Sequence, residues 1–195
     1  MFLKNVKYVL SAPSKQYWLD NRQKEICILG RSNVGKSTFI NKICNYNGLA
    51  KVSKNPGYTK YLNFFDVNGT FYLVDTPGYG YAKIDRTRDK SFVKMMQEYL
   101  YDRDNLIMCI VLVDAKVSFT EDDIMLINML HDANRKIQII ASKTDKTNQS
   151  IRSKFLKDAK ELLTDDEYQN LIMYSSLDAR SVDKVVERIL YYYNN

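Results

Sequence analysis

The stretch Gly30-Arg31-Ser32-Asn33-Val34-Gly35-Lys36-Ser37 limits the possible folds more than any other part of this chain. Gly, four residues, then Gly-Lys-Ser is the phosphate-loop pattern. Glu25-Ile26-Cys27-Ile28-Leu29 before it reads as a buried strand, and Thr38-Phe39-Ile40-Asn41-Lys42-Ile43 after it reads as the start of a helix. Strand, loop and helix in that order are the context the pattern needs. Gly30 and Gly35 let the backbone curl until its N–H groups face inward as a nest for anionic oxygens. The helix N-terminus adds the positive end of its dipole. Lys36 is placed to reach the β- and γ-phosphates of a nucleotide, and the Ser37 hydroxyl to ligate magnesium.

Strand-like and helix-like segments alternate after residue 24. The strand candidates are 25–29, 61–67, 70–75, 106–114, 137–142 and 171–174, and the helix candidates are 36–45, 88–102, 121–133, 149–163 and 181–193. Asn68-Gly69 between two strand candidates is a two-residue hairpin signal. The pattern predicts an α/β, three-layer phosphate-loop fold: a mostly parallel six-stranded sheet with one antiparallel edge strand and helices on both faces. A length of 195 residues suits one well-cored domain, with residues 1–23 as a short N-terminal extension. Val182, Val185, Val186, Ile189, Leu190 and Tyr193 form one stripe of the last helix, which core packing accounts for.

A net charge of +6 favours an acidic partner such as nucleic acid, without naming one. Three cysteines cannot complete a disulfide framework, and Cys27, Cys44 and Cys109 read as small core residues of a reducing compartment. They lack zinc-ligand spacing, and the one histidine, His131, reads as a surface or packing residue. The longest apolar run, Leu106 to Val113, is strand-sized rather than membrane-sized, and the first residues lack a signal-peptide core. The expectation is a cytoplasmic protein, monomeric, with no membrane and no DNA among its partners.

Three further motifs follow in register. Asp75-Thr76-Pro77-Gly78 closes a strand candidate, where Asp75 can hold magnesium through water and the Gly78 N–H can meet a γ-phosphate. Ser142-Lys143-Thr144-Asp145 ends another strand candidate with the spacing of a guanine-reading motif. The Asp145 carboxylate can accept from the N1–H and N2–H₂ edge of guanine, a donor pair that adenine lacks, and mismatches of that kind discriminate by roughly 10⁴-fold. Lys143 can cover the base plane. Tyr174-Ser175-Ser176 follows the last strand candidate, where backbone N–H groups can meet guanine O6. In Asn55-Pro56-Gly57-Tyr58-Thr59, Thr59 is the candidate switch threonine, a magnesium ligand that senses the γ-phosphate. The nucleotide-site candidates are therefore residues 30–38 (with Thr38), 56–59, 75–78, 142–145 and 174–176, and Lys36, Thr59, Gly78 and Asn33 are the candidates for the chemistry.

With these motifs in order, the chain resembles the EngB family of translation-factor-class GTP-binding proteins. Glu25 through Asn41, Asp75-Thr76-Pro77-Gly78-Tyr79-Gly80-Tyr81-Ala82 and Asn63-Phe64-Phe65 carry the resemblance. It implies GTP and GDP binding, slow hydrolysis, magnesium, and a role in assembling the large ribosomal subunit, with its precursor and ribosomal RNA as partners. The family usually has Arg at the place of Tyr58, Gln at Lys60 and Thr at Ser142. Tyr79 stands where related enzymes carry a water-orienting glutamine, and a phenol is a poor substitute for a two-ended amide. Asn33 is similar to the asparagine of GTPases that hold potassium beside the nucleotide. Lys51, Lys54, Lys60, Lys83, Arg86 and Arg88 interleave with Tyr58, Tyr61, Tyr79 and Tyr81, a mixture suited to RNA or to a solvated loop surface. An ATP-dependent small-molecule kinase and a GTPase module for tRNA modification remain as alternatives.

Overall fold

The computed structural model describes residues 1–19, 22–52, 60–80 and 86–195, for 86–92 the backbone alone. Among the described residues, seven strands form one sheet: β1 (Val6–Ala12), β2 (Lys24–Gly30), β3 (Leu62–Val67), β4 (Phe71–Asp75), β5 (Leu106–Asp114), β6 (Ile137–Ser142) and β7 (Ile172–Met173). Their spatial order is β1-β3-β4-β2-β5-β6-β7. Only β3 runs against the others: it is antiparallel to both β1 and β4, whereas β4-β2, β2-β5, β5-β6 and β6-β7 are parallel. The three-layer α/β fold is as expected, but the sheet has seven strands rather than six, and the reversed strand is interior rather than at the edge. Residues 6–12, expected within an extension, supply the extra edge strand.

The cause of that strand's weak signal is visible. A bulge between Tyr8 and Leu10 breaks the period-two alternation, and the outer side of β1 faces solvent. By contrast β2 and β5 are almost wholly buried, as parallel strands covered on both faces must be, and so read as continuous apolar runs. At the β3–β4 turn, Asn68 (φ 55°) and Gly69 (φ 69°) both adopt left-handed backbone, the requirement of a tight hairpin whose twist matches its strands.

Alternate residues of the strands feed two cores. One face packs Cys27, Leu29 and Val111 against α2 (Arg86–Asp102), α3 (Glu121–Asp132) and α4 (Gln149–Leu162), through Tyr99, Leu130 and Phe155. The other packs Ile26, Ile28 and Ile110 against α1 (Lys36–Ile43) and α6 (Ala179–Asn194), through Phe39, Ile40, Val185 and Ile189. The stripe on α6 is thus core, as read. The short α5 (Asp165–Gln169) leads into β7 and begins with a Thr164/Glu167 capping box. His131 pairs with Glu167 at 2.7 Å, and all three cysteines are buried thiols.

Glu25, the second residue of β2, has no exposed surface, an expensive place for a carboxylate. It accepts from Arg103 Nε at 3.0 Å, from a second Arg103 nitrogen, and from the Tyr99 hydroxyl at 2.9 Å. Removing one partner of such a buried pair costs about 3–5 kcal/mol. The arrangement anchors the start of β2 to α2, and so fixes where the other end of β2 delivers the phosphate loop.

Candidate functional site

β2 ends at Gly30, and the backbone turns at once. A methyl group at Gly30 would lie 2.8 Å from Val34 Cγ1 and 2.9 Å from the Leu112 carbonyl, so only glycine fits between the loop and β5. Gly35 caps α1 from left-handed backbone at φ 109°. Asn33 is exposed at the crest, at φ 65°. Ser37 and Thr38 then occupy the first turn of α1, half-buried and exposed respectively.

Lys36 is the first residue of α1 and is buried. Its ammonium donates to the Gly30 carbonyl at 2.8 Å and the Arg31 carbonyl at 3.2 Å. Burial lowers its pKa from 10.5 to about 8, against a partial pull upward from Asp75. Asp75 ends β4 and is likewise buried, which raises its pKa to about 6 despite the opposing influence of Lys36 and of a hydrogen bond from Asn63. Asp75 Oδ1 has no hydrogen-bond partner among the described residues.

The strand-end segments converge on this loop through hydrogen bonds. The Thr76 hydroxyl donates back to the Ile28 carbonyl at 2.8 Å, so Thr76 fastens β4 to β2 rather than facing outward. Pro77 is buried, and Gly78 lies against the phosphate loop so closely that a methyl group there would stand 2.7 Å from Ser32 Cα. The Ser32 N–H donates to the Tyr79 carbonyl at 2.9 Å.

On the other side, Ser142 donates to the Val34 carbonyl at 3.2 Å. Lys143, in left-handed backbone, reaches across to the Asn33 carbonyl at 2.9 Å and to Asp114 Oδ2 at 2.7 Å. Asp145 Oδ1 accepts from the Ser175 hydroxyl at 2.7 Å, which orients the carboxylate without consuming its other oxygen. The Thr144 N–H donates to the Tyr174 carbonyl at 3.2 Å. Tyr174 itself turns its ring into the core, edge-on to Phe39. The Ser175 N–H is committed to Ser181 Oγ at 3.1 Å, which withdraws it from the amides expected to meet guanine O6.

The family model described as 50S ribosome-binding GTPase matches residues 25–143. A probable GTP-binding protein EngB of Mycoplasma mycoides is 41% identical over 188 residues, covering 96% of each chain. Its counterpart in Clostridium kluyveri is 38% identical over 197 residues and covers all of both. The chain belongs to the EngB family of GTP-binding proteins. Among solved structures, a probable GTP-binding protein EngB superposes with a TM-score of 0.70 at 18% identity, over 87% of this chain and 98% of the other. Era, in complex with MgGDPNP and nucleotides 1506–1542 of 16S ribosomal RNA, superposes with a TM-score of 0.67 at 22% identity, over 87% of this chain and 56% of Era. These likenesses show the shared fold.

EngB membership makes the chain a GTPase, and the surroundings of Tyr79 bear on how an EngB site of this kind handles water. The Tyr79 hydroxyl donates to Asp123 Oδ1 at 2.7 Å. Asp123 Oδ2 accepts from the Thr120 N–H at 2.9 Å and hydroxyl at 2.6 Å, closing the capping box of α3. Burial first, and then the Asp123 charge, push the Tyr79 phenol well above its ordinary pKa. The phenol is thus a neutral donor engaged elsewhere. Its ring packs against the core, which removes it from the aromatics expected to face a partner. Tyr61 stays 45% exposed beside the exposed Lys60.

Pro56, Gly57, Tyr58 and Thr59 lie outside the described residues, as do Lys54, Tyr81, Lys83 and the side chains of Arg86 and Arg88. Three residues that hold the candidate site together escaped sequence reasoning. Asp114 ends β5 in register with Ser142, and a carboxylate closing an apolar run was its available signal. Asp123 was hidden in the acidic run Glu121-Asp122-Asp123, which reads as ordinary helix-start chemistry. Ser181 gave no local signal.

Proposed function

We propose that this EngB-family chain is a GTP-driven switch in the assembly of the large ribosomal subunit, and that it hydrolyses GTP slowly. The observation that carries the nucleotide part is the set of bonds joining the base-reading loop to the phosphate loop, Ser142 to Val34 and Lys143 to Asn33, together with the Ser175 bond that orients Asp145 within the base-reading loop. Residues 30–38 cradle the phosphates, Gly78 meets the γ-phosphate through its N–H, and Asp145 reads guanine while Lys143 covers it. Slow hydrolysis is supported by Tyr79, whose hydroxyl is held by Asp123.

Magnesium fits the donor set. Ser37 and, from the undescribed segment, Thr59 would ligate it, with Asp75 acting through water. The buried, unpartnered Asp75 Oδ1 beside the Lys36 charge is what such a cation would satisfy. When bound, magnesium neutralises charge on the β- and γ-phosphate oxygens. Potassium beside the exposed Asn33 is a further part of the proposal, checked by comparing hydrolysis in potassium and sodium buffers; equal rates reject it.

The ribosomal part is supported by the family model's description and by exposed Lys51, Lys60 and Tyr61 on either side of residues 53–59. Cations next to an aromatic suit phosphate neutralisation and base stacking. No helix among the described residues is long and apolar enough to cross a membrane. Sucrose-gradient sedimentation of cell extract with a non-hydrolysable GTP analogue or with GDP tests this reading. Co-migration with the large subunit or its precursors only in the GTP-like state is the expected result. A protein that stays at the top in both states, at low salt and with nucleotide occupancy confirmed, overturns the ribosomal role.

A further inference from the structure

We propose that Asn63 is a positioning residue for Asp75, and that Ser11 on the edge strand sets the direction in which the Asn63 amide points. The proposal rests on the reading of Asp75 as the carboxylate on the magnesium side. Asn63 of β3 lies directly opposite Asp75 of β4, and Ser11 of β1 directly opposite Asn63. Residues opposed in antiparallel pairs share a face of the sheet, so the three side chains form one row across three strands. It is the face that carries α1, whose first residue is Lys36.

The bonds along the row have a direction. Ser11 Oγ donates to Asn63 Oδ1 at 2.5 Å. An amide whose carbonyl end is taken by a donor must present its NH₂ end to the other side, and there it bonds the Asp75 carboxylate. Tyr8 Oη lies 2.9 Å from Ser11 Oγ. Since the single Ser11 proton goes to Asn63, Tyr8 is the donor in that pair. The row therefore runs from an exposed phenol to a buried carboxylate, every proton pointing inward. Asn63 engages the Asp75 carboxylate from this row, and Asp75 Oδ1 is left without a partner among the described residues. The bulge between Tyr8 and Leu10 makes this possible. It shifts the register so that Tyr8 opposes Phe65 while Ser11, three residues on, opposes Asn63 on the same face. The edge strand thus contributes to the site from outside the nucleotide motifs.

The test is the magnesium requirement for holding a fluorescent GDP analogue, measured for the wild-type chain, Asn63→Ala, Ser11→Ala, the double variant and Asp75→Asn. Groups that orient a metal-side ligand typically change metal affinity by about tenfold or more. Asn63→Ala is expected to raise the half-saturating magnesium about tenfold. Ser11→Ala should raise it about threefold, and the double variant no further than Asn63→Ala alone, as members of one chain of bonds are not additive. In EDTA, analogue affinity and thermal midpoint should match the wild type, a pattern that a merely structural role would not give. Should Asn63→Ala fold poorly, Ser11→Ala decides, because Ser11 is exposed on the edge strand. Unchanged magnesium dependence in these variants, with a clear rise in Asp75→Asn, overturns the proposal alone. No rise in Asp75→Asn overturns the reading of Asp75 and the proposal with it.

Discussion

Replacing Gly78 by alanine perturbs the closest approach in the site. The added methyl group would stand 2.7 Å from Ser32 Cα, 2.8 Å from Ser32 N and 2.9 Å from Lys36 Nζ. Gly78 is not among the glycines with left-handed backbone, so the contact alone, and not backbone strain, produces the effect. Two of the three clashing atoms are backbone in a loop already fixed at Gly30, and they cannot yield cheaply. Non-bonded carbons settle near 3.5 Å, so the 2.7 Å contact demands a retreat of roughly 0.8 Å by the Gly78 segment. That retreat stretches the Ser32–Tyr79 bond from 2.9 Å to beyond hydrogen-bonding range. The lost bond is worth about 1 kcal/mol net, and the residual overpacking about 1 kcal/mol more. At roughly 2–4 °C per kcal/mol for a chain of this size, the nucleotide-free thermal midpoint should fall by about 4–8 °C. On the proposed role, the Gly78 amide also leaves the γ-phosphate. Affinity for a non-hydrolysable GTP analogue should then drop about tenfold, as expected for a hydrogen bond to a charged acceptor, while GDP binding stays within about twofold. Fluorescence titration with both nucleotides and a thermal melt measure all of this. An alanine variant that keeps its midpoint and its GTP-analogue affinity would refute the argument from contact distance.

Ser175→Ala removes the hydroxyl that holds Asp145 at 2.7 Å; GTP affinity should fall about tenfold in a competition assay, with ATP still excluded. Tyr79→Phe deletes only the bond to Asp123; single-turnover hydrolysis should change by less than about threefold, whereas a loss of about 10² or more would show that the phenol acts on water after all. Lys36 titrates near 8 in the folded chain against 10.5 when free, so the unfolded chain binds the extra proton between those values and stability rises with pH across that window. Lys36→Met should abolish that rise, of about 3 kcal/mol at most, when urea unfolding of nucleotide-free protein is compared at pH 8 and pH 10.

What could be read from the sequence depended on whether the chemistry was local. The phosphate loop, the strand-end Asp75 to Gly78 segment and the Ser142 to Asp145 loop are contiguous, and each sits where an apolar run stops, so their place in the fold was legible. The Asn68-Gly69 hairpin and the α6 stripe were legible for the same reason. Interactions across the sheet were not. Asn63 meets Asp75 only because of the β3–β4 register, and Ser11 meets Asn63 only because a bulge shifts β1. Tyr79 was recognised as a poor substitute for glutamine, but its bond to Asp123 joins residues 44 apart. Tyr174 was legible as a position next to the base loop and not as a core ring, since a strand end presents carbonyl and side chain in different directions.

The bonds around the phosphate loop make its backbone a shared resource. Two of its carbonyls, of Asn33 and Val34, accept from the base-reading loop, and one of its amides, of Ser32, donates to Tyr79. An N–H serves one acceptor well, so a phosphate oxygen drawing on the Ser32 amide competes with the Tyr79 carbonyl. Tyr79 is tied at its other end to the cap of α3, which makes the segment after Gly78 a tether between the phosphate loop and that helix. On the proposed switch role, a nucleotide that loosened the Ser32 end of the tether would leave the other end held by the Tyr79–Asp123 bond. On the proposed function, the tyrosine that stands where related enzymes carry a water-orienting glutamine also anchors the segment after Gly78 to α3, and slow hydrolysis with a long-lived GTP state would suit an assembly switch.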